Sequence, residues 1–370
     1  MSASRSLLFI WLFCVAGCTT SPSMPRPESA SMPITPQKAV VIAHRGASAL
    51  RPEHTLAAYA KAIDDGADWI EPDLVSTRDG VLVARHENEI SGTTDVATHP
   101  EFASRKATKT IDGERVSGWF TEDFTLAELK TLRARERLPD LRSTAYDGQF
   151  QVPTFDEIVA LAAAASAEHG RTIGLAPEIK HSTYFAGVGL PMEERLLAAL
   201  AAHPHTRTAP VMIQSFEIAN LRALRAKIGR GSNIALLQLL GQSNERPYDT
   251  VAAGTPTSYG TMMRADGLRE IATYADAIGV AYRDLDPIVD SDGRARSRLL
   301  DEAKDAGLQV VAYTFRPENY FLRGDYRGAG SDAARYEAGS IRQIRDYVAL
   351  GLDAFFTDDP ALGRRALDND

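Results

Sequence analysis

The sequence predicts an α/β fold of the (β/α)8 TIM-barrel class with an insertion after the second strand, and three observations carry that reading. Short β-branched apolar runs alternate with longer helical patterns, as in βα units wound around a parallel sheet. Eight such runs stand along the chain. Charged residues gather at the C-terminal ends of several runs, where barrels of this kind build their sites. A doubly wound open sheet would call for a glycine-rich phosphate turn after its first strand, and none stands there.

In chain order the predicted strands cover 40–44, 68–73, 172–178, 211–215, 234–239, 277–281, 309–314 and 354–357. Helical patterns follow most of them, over 55–65, 154–169, 192–202, 217–228, 267–274, 296–306 and 340–350. Residues 81–85, after the Asp79-Gly80 turn, read as a short strand forming a hairpin with the second strand. Residues 87–151 lack the βα pattern, apart from a helical stretch at 126–132 with Thr125 as N-cap. Such a long insertion is expected to overhang the barrel mouth and shape access to it. No internal repeat is present.

The 370 residues are 44% hydrophobic and 24% charged, enough for one barrel-sized domain, read as 39–366. A formal charge of −8 argues against nucleic acid, whose phosphate backbone needs a basic face. The N-terminus reads as targeting sequence: Arg5 precedes the apolar run from Leu7 to Phe13, which is too short to span a membrane. Val15-Ala16-Gly17-Cys18 resembles a bacterial lipobox. This implies a lipoprotein signal over 1–17, acylation of Cys18, and a membrane partner through the lipid. Cys14 would leave with the signal, so no disulfide is expected. Residues 18–38, rich in Ser, Pro and Thr, read as a flexible tether. Thr19 is not the Asp that marks inner-membrane retention, which points to an outer-membrane anchor in the cell envelope.

Chemistry concentrates in a few short stretches. In Ile70-Glu71-Pro72-Asp73 the two carboxylates share a face, because strand side chains alternate. Pro177-Glu178-Ile179-Lys180 repeats the arrangement on the next strand, roughly 4.8 Å away across a sheet. Glu71, Asp73 and Glu178 could therefore share one ion. An all-oxygen set suits Ca²⁺ or Mg²⁺ better than zinc. Lys180 could hold a phosphate oxygen, and Arg45 offers a fixed cationic fork. His44 ends the first strand and His86 the short strand after the second. Two imidazoles beside a carboxylate cluster could serve as base and acid in phosphodiester cleavage.

Taken together, His44-Arg45-Gly46-Ala47, Pro52-Glu53-His54-Thr55, Glu71-Pro72-Asp73, His86, Pro177-Glu178-Ile179-Lys180 and Gln214-Ser215-Phe216 resemble the glycerophosphodiester phosphodiesterase family. Thr94-Asp95-Val96-Ala97, Asp123-Phe124-Thr125-Leu126 and Phe356-Thr357-Asp358 extend the resemblance to its periplasmic bacterial branch, over residues 40–362. The resemblance implies Glu71, Asp73 and Glu178 as ligands of Ca²⁺, with Mg²⁺ as the alternative, and His44 and His86 as the acid/base pair. It also implies phosphate binding by Arg45 and Lys180. The substrate would be a glycerophosphodiester attacked by its own glycerol 2-hydroxyl, with glycerol 3-phosphate and a free alcohol as products. Phospholipase D-like toxins and sphingomyelinases use nearly the same constellation, but the insertion and the Thr94 to Ala97 match favour the glycerophosphodiesterase. A binding protein without activity would not need both histidines and every ligand.

Two positions depart from the family pattern. Glu87 follows His86 where Asp is usual, and Tyr313-Thr314 replaces Trp-Thr, keeping an aromatic wall. Gln214, Tyr282 and Tyr313 are expected on the wall of the mouth. Glu53 could be an outer ligand or a first-turn acid, and His54 could touch substrate or simply precede the helix capped by Thr55. The run Thr357-Asp358-Asp359-Pro360 reads as a turn rather than a metal site.

Overall fold

In the computed structural model the described residues are Met1, 38–285 and 287–368. The expected signal segment 1–17, Cys18 and the tether up to residue 37 lie outside the described residues. Among the described residues no helix is long and apolar enough to cross a membrane.

Eight parallel strands close into a barrel: β1 (Val40–His44), β2 (Trp69–Glu71 and Asp73–Ser76), β3 (Gly174–Leu175 and Glu178–Ile179), β4 (Val211–Ser215), β5 (Ile234–Leu240), β6 (Ala277–Ala281), β7 (Gln309–Phe315) and β8 (Ala354–Thr357). β2 and β3 are each broken by a proline, Pro72 and Pro177, which has no N–H for the ladder. The pairing still carries across the breaks, since Ala176 N–H donates to Ile70 O at 2.9 Å and Glu178 N–H to Pro72 O at 3.0 Å. Parallel pairing runs around the ring and closes where β8 meets β1, Val40 opposite Ala354. The predicted strands stand, with ends shifted by a few residues.

Inside the ring Ile42, Trp69, Met212, Leu237, Val311 and Phe356 form a packed plug below the mouth. Gly174 makes room for it: a Cβ there would lie 2.5 Å from the Trp69 ring. The alternate side chains of the strands face the helices. Leu56–Asp64 and Phe155–His169 start at Thr55 and Thr154, whose hydroxyls accept from Ala58 N–H and Glu157 N–H. Thr154 also forms a reciprocal capping box with Glu157.

Gly46 makes the turn from β1 toward the helix Leu56–Asp64 with φ of +86°, and a Cβ there would sit 2.6 Å from the Ala58 carbonyl carbon. Gly46→Ala is expected to lower unfolding free energy by about 2–4 kcal/mol, combining left-handed strain with a backbone clash. Urea denaturation measures this. A loss below about 0.5 kcal/mol, the size of an ordinary surface substitution, would contradict it.

The 87–151 insertion carries an antiparallel hairpin, Ala107–Ile111 with Glu114–Gly118. Its helix is Leu126–Leu129, shorter than expected but capped by Thr125 with Glu128 in a capping box. The short strand after β2 is Leu82–Ala84, paired antiparallel to Leu74 through Ser76. At the C-terminus Asp358 and Asp359 make the expected turn, and an unforeseen helix follows it at once, Pro360–Asp368, with Asp359 Oδ1 accepting from Leu362 N–H at 3.2 Å. Pro after an acidic residue at the first helical position is the local signal for that start.

Within the insertion, burial pushes the Glu136 carboxyl up to about 7. A raised folded pKa means the native state holds its proton more tightly than the unfolded chain, so stability is full below about 4.5 and is lost as pH rises toward 7. Glu136→Gln is therefore expected to match the wild type at pH 4.5 and to be more stable at pH 8. The gain would be at most about 3 kcal/mol. Melting curves at the two pH values check it, and an equal difference at both would refute it.

Candidate active site

The mouth of the barrel holds a cavity of about 280 Å³, its polar floor made by His44, Arg45, Glu71, His86, Glu178 and Lys180. Each of these residues ends a strand or begins the loop after one, so the rigid ring sets their spacing. β1 delivers His44 opposite Glu71 of β2, and Asp73 lies opposite Glu178 of β3.

Glu71, Asp73 and Glu178 each offer a carboxylate oxygen, and these oxygens lie within 4.8 Å of one another, all buried. Three buried like charges at that spacing resist ionisation together. Burial, with Asp73 and Glu178 beside it, pushes the Glu71 carboxyl well above the usual range. Burial likewise pushes Glu178 up to about 8, with Lys180 pulling the other way and Asp73 adding to the rise. Burial opposes the charge on Asp73 too, but Lys180, His54 and Arg45 outweigh it and hold that carboxyl well below its ordinary value. Asp73 Oδ1 is buried with no hydrogen-bond partner. A hard cation would neutralise the repulsion and occupy that free acceptor, so the donor set fits a metal ion.

Supporting residues hold the three carboxylates in place. Glu71 accepts from the Arg45 backbone N–H at 3.1 Å and from Gln214 Nε2 at 2.9 Å. Gln214 is thus corrected from a wall residue to a strut: it is wholly buried, and its amide also donates to Ala176 O at 2.9 Å. Of the two readings of His54, the structural one stands. The side chain is fully buried, with Nε2 2.9 Å from Asp73 Oδ2 and Nδ1 2.7 Å from Tyr59 Oη, and does not line the cavity. Glu53 stands outside the carboxylate triad and accepts from Arg45 Nη1 at 3.0 Å. The Arg45 Nε lies 3.3 Å from Asp73 Oδ2, and Lys180 Nζ lies 2.7 Å from Glu178 Oε1.

Both histidines are held through Nδ1 by a carboxylate. His44 Nδ1 lies 2.6 Å from Asp358 Oδ1, while its Nε2 is 4.0 Å from Glu71 Oε2. His86 Nδ1 bonds to the Glu87 carboxylate, so the extra methylene at that position does not remove support for the ring. A carboxylate at Nδ1 selects the tautomer with the proton there and leaves Nε2 as a free acceptor. Burial lowers His44 to about 4, aided by Arg45 and opposed by Asp358. Burial, Arg45 and Lys180 lower the half-buried His86 as well.

In the sequence Asp358 stood out only as part of a turn and of the Phe356-Thr357-Asp358 match, with no role assigned. Burial works against its charge, but Arg316, Arg142 and His44 hold it well below the carboxylate range. Much of the remaining wall is aromatic, from Phe216, Tyr282, Tyr313, Phe321 and Phe356, with Arg283 and Arg316 beside them. The Tyr282 and Tyr313 hydroxyls donate to Phe321 O and Leu240 O, both at 2.6 Å, so the two residues offer the cavity ring rather than hydroxyl.

A closed parallel barrel with a carboxylate triad, two carboxylate-held imidazoles and cationic side chains at its C-terminal mouth defines a phosphoric-ester hydrolase. The model of the glycerophosphoryl diester phosphodiesterase family matches residues 44–362. The chain is 32% identical over 368 residues to glycerophosphodiester phosphodiesterase GDPD6 of Arabidopsis thaliana, covering 95% of this chain and 93% of the relative. It is 26% identical over 324 residues to the glycerophosphodiester phosphodiesterase of Haemophilus influenzae, covering 82% and 85%. The chain belongs to the glycerophosphoryl diester phosphodiesterase family and is a phosphoric diester hydrolase.

Solved structures share the fold. One is a glycerophosphoryl diester phosphodiesterase of Silicibacter pomeroyi, with TM-score 0.59 and 21% identity over 90% of this chain and 95% of that one. Another is a phosphodiesterase of Oleispira antarctica, solved with its product sn-glycerol-3-phosphate, with TM-score 0.57 and 20% identity over 90% and 97%.

Proposed function

We propose that the chain hydrolyses glycerophosphodiesters of small alcohols, such as glycerophosphocholine and glycerophosphoethanolamine, to glycerol 3-phosphate and the free alcohol. One observation carries the reading: two histidines, each held at Nδ1 by a carboxylate, face a cavity whose floor is a carboxylate triad flanked by Arg45 and Lys180.

Glu71, Asp73 and Glu178 would hold Ca²⁺, or Mg²⁺ in its place. When bound, the ion would supply positive charge to the phosphodiester oxygens. Arg45 and Lys180 add cationic donors on the same side of the phosphate. One histidine takes the proton of the glycerol 2-hydroxyl as that oxygen bonds to phosphorus. The other, entering the step protonated at Nε2, gives that proton to the alkoxide as the phosphorus–oxygen bond to the alcohol breaks. The resulting five-membered cyclic phosphate is opened by water with the roles reversed, and one proton returns at each ring.

The test is release of glycerol 3-phosphate from glycerophosphocholine by the purified protein, abolished by chelator and restored by added Ca²⁺. Turnover of sphingomyelin or lysophosphatidylcholine faster than of glycerophosphocholine would reverse the substrate assignment.

The envelope location is part of the proposal. Acylation of Cys18 and a tether of some twenty residues would keep the barrel mouth near an outer membrane while leaving it open to dissolved substrate. Labelled fatty acid should enter the wild type but not Cys18→Ser. Equal incorporation would exclude that anchor.

A further inference from the structure

Two arginines of the insertion stand five residues apart and reach two different catalytic dyads. Arg137 forks Glu53 through Nε at 2.8 Å and Nη2 at 2.6 Å, and also meets Glu87 at 3.1 and 2.6 Å. Glu87 is the carboxylate on His86 Nδ1. Arg142 donates to Asp358 Oδ2 at 2.5 Å, to Glu318 at 2.8 and 3.4 Å and to Ser48 O at 3.0 Å. Asp358 is the carboxylate on His44 Nδ1. Nothing local in 87–151 foretells either contact.

The segment that carries both arginines is itself pinned. Asp95 Oδ1 accepts from Arg133 N–H at 2.7 Å, Arg135 N–H donates to Thr93 O at 2.9 Å, and Ala134 N–H donates to Phe150 O at 2.8 Å. Between the arginines the chain turns, with Arg142 N–H donating to Leu138 O at 2.9 Å. The Thr94 to Ala97 motif thus anchors the base of a rigid bracket. We infer that Arg137 and Arg142 are positioning residues: from a single turn of the insertion they hold the carboxylates that orient His86 and His44, and so put the two halves of the acid/base pair in register. A guanidinium suits this because its planar fork can fix a carboxylate plane while bonding a second acceptor. The Arg142 side chain and its partners Glu318 and Asp358 are no more than 6% exposed, so water cannot substitute for it.

The inference rests on the acid/base reading of the histidines. Steady-state kinetics on glycerophosphocholine with the full chain test it, together with two-bond ¹H–¹⁵N spectra of the histidine rings. His44 and His86 signals are assigned by their loss in His44→Asn and His86→Asn. Arg137→Ala and Arg142→Ala are expected to lower kcat by about 10–100-fold with KM within about threefold. Arg137→Ala should alter the His86 signal alone and Arg142→Ala the His44 signal alone. Lysine at either position should recover only part of kcat, since it supplies charge without a fork.

Unchanged kcat, or lowered kcat with both ring signals unmoved, would overturn the inference. If the alanine variants do not fold, the lysine variants decide. Lowered kcat with one shifted ring supports the positioning role, and wild-type kcat with unmoved rings overturns it. Failure of the underlying reading is separable, because His44→Ala and His86→Ala would then keep their activity.

Discussion

His86→Ala is expected to retain about one part in 10² to 10⁴ of wild-type kcat on glycerophosphocholine, with KM little changed. The ring sits on the cavity floor with Nδ1 held by Glu87, so its free Nε2 is the atom available for proton transfer. No neighbouring group can take over. Glu87 is already committed to Arg137, and Lys180 to Glu178. The side chain is 30% exposed, so truncation removes little packing, and the melting temperature should stay near that of the wild type. His86→Ala therefore separates chemistry from stability better than His44→Ala, which would strand the buried Asp358 beside two arginines. Near-normal kcat in His86→Ala would remove it from the mechanism.

Glu71→Gln is expected to lose activity by about 10³-fold or more while gaining stability in metal-free buffer. The two effects share a cause. The Glu71 carboxyl is pushed well above its ordinary range by burial and by Asp73 and Glu178, so ionising it destabilises the native state when no cation is present. That penalty is absent below the unfolded pKa near 4.5 and grows as pH rises, so the gain in melting temperature should be larger at pH 8 than at pH 5. The same charge is what a cation needs, and the Gln amide would set its N–H₂ group against one of the two donors, Arg45 N–H or Gln214 Nε2. Calorimetric titration with Ca²⁺ should find one site in the wild type and greatly weakened binding in Glu71→Gln. Equal affinity in the two proteins would sink the assignment of the triad.

Much of this architecture was legible because its signals are local. β-branched runs ending in charge mark the strands, and the period-two side-chain alternation puts Glu71 with Asp73 and Glu178 with Lys180 on common faces. Parallel neighbours then bring those faces together, as the pairing of Asp73 with Glu178 requires. The last helix was missed although Pro360 marks its start, because a short acidic run satisfies turn and helix-start patterns alike. Gln214 was read as facing the mouth, and for His54 a substrate contact and a place before the helix were both open. Both side chains turn beneath the mouth, since the buried oxygens of Asp73 and Glu71 need donors there.

The sequence by itself determined the barrel and the common faces of Glu71 with Asp73 and Glu178 with Lys180, since these follow from alternation and helical period within a few residues, while the histidines and Arg45 were picked out by their place at strand ends and by the family resemblance. Only the tertiary structure decided how those groups are held. His44 meets Asp358 across 314 residues, Arg142 meets Asp358 across 216 and Arg137 meets Glu53 across 84. A charge pair so distant in sequence leaves no periodic trace. It exists because ring closure brings the last strand beside the first, and because an insertion without βα pattern folds back over the mouth where both dyads lie within reach of one turn.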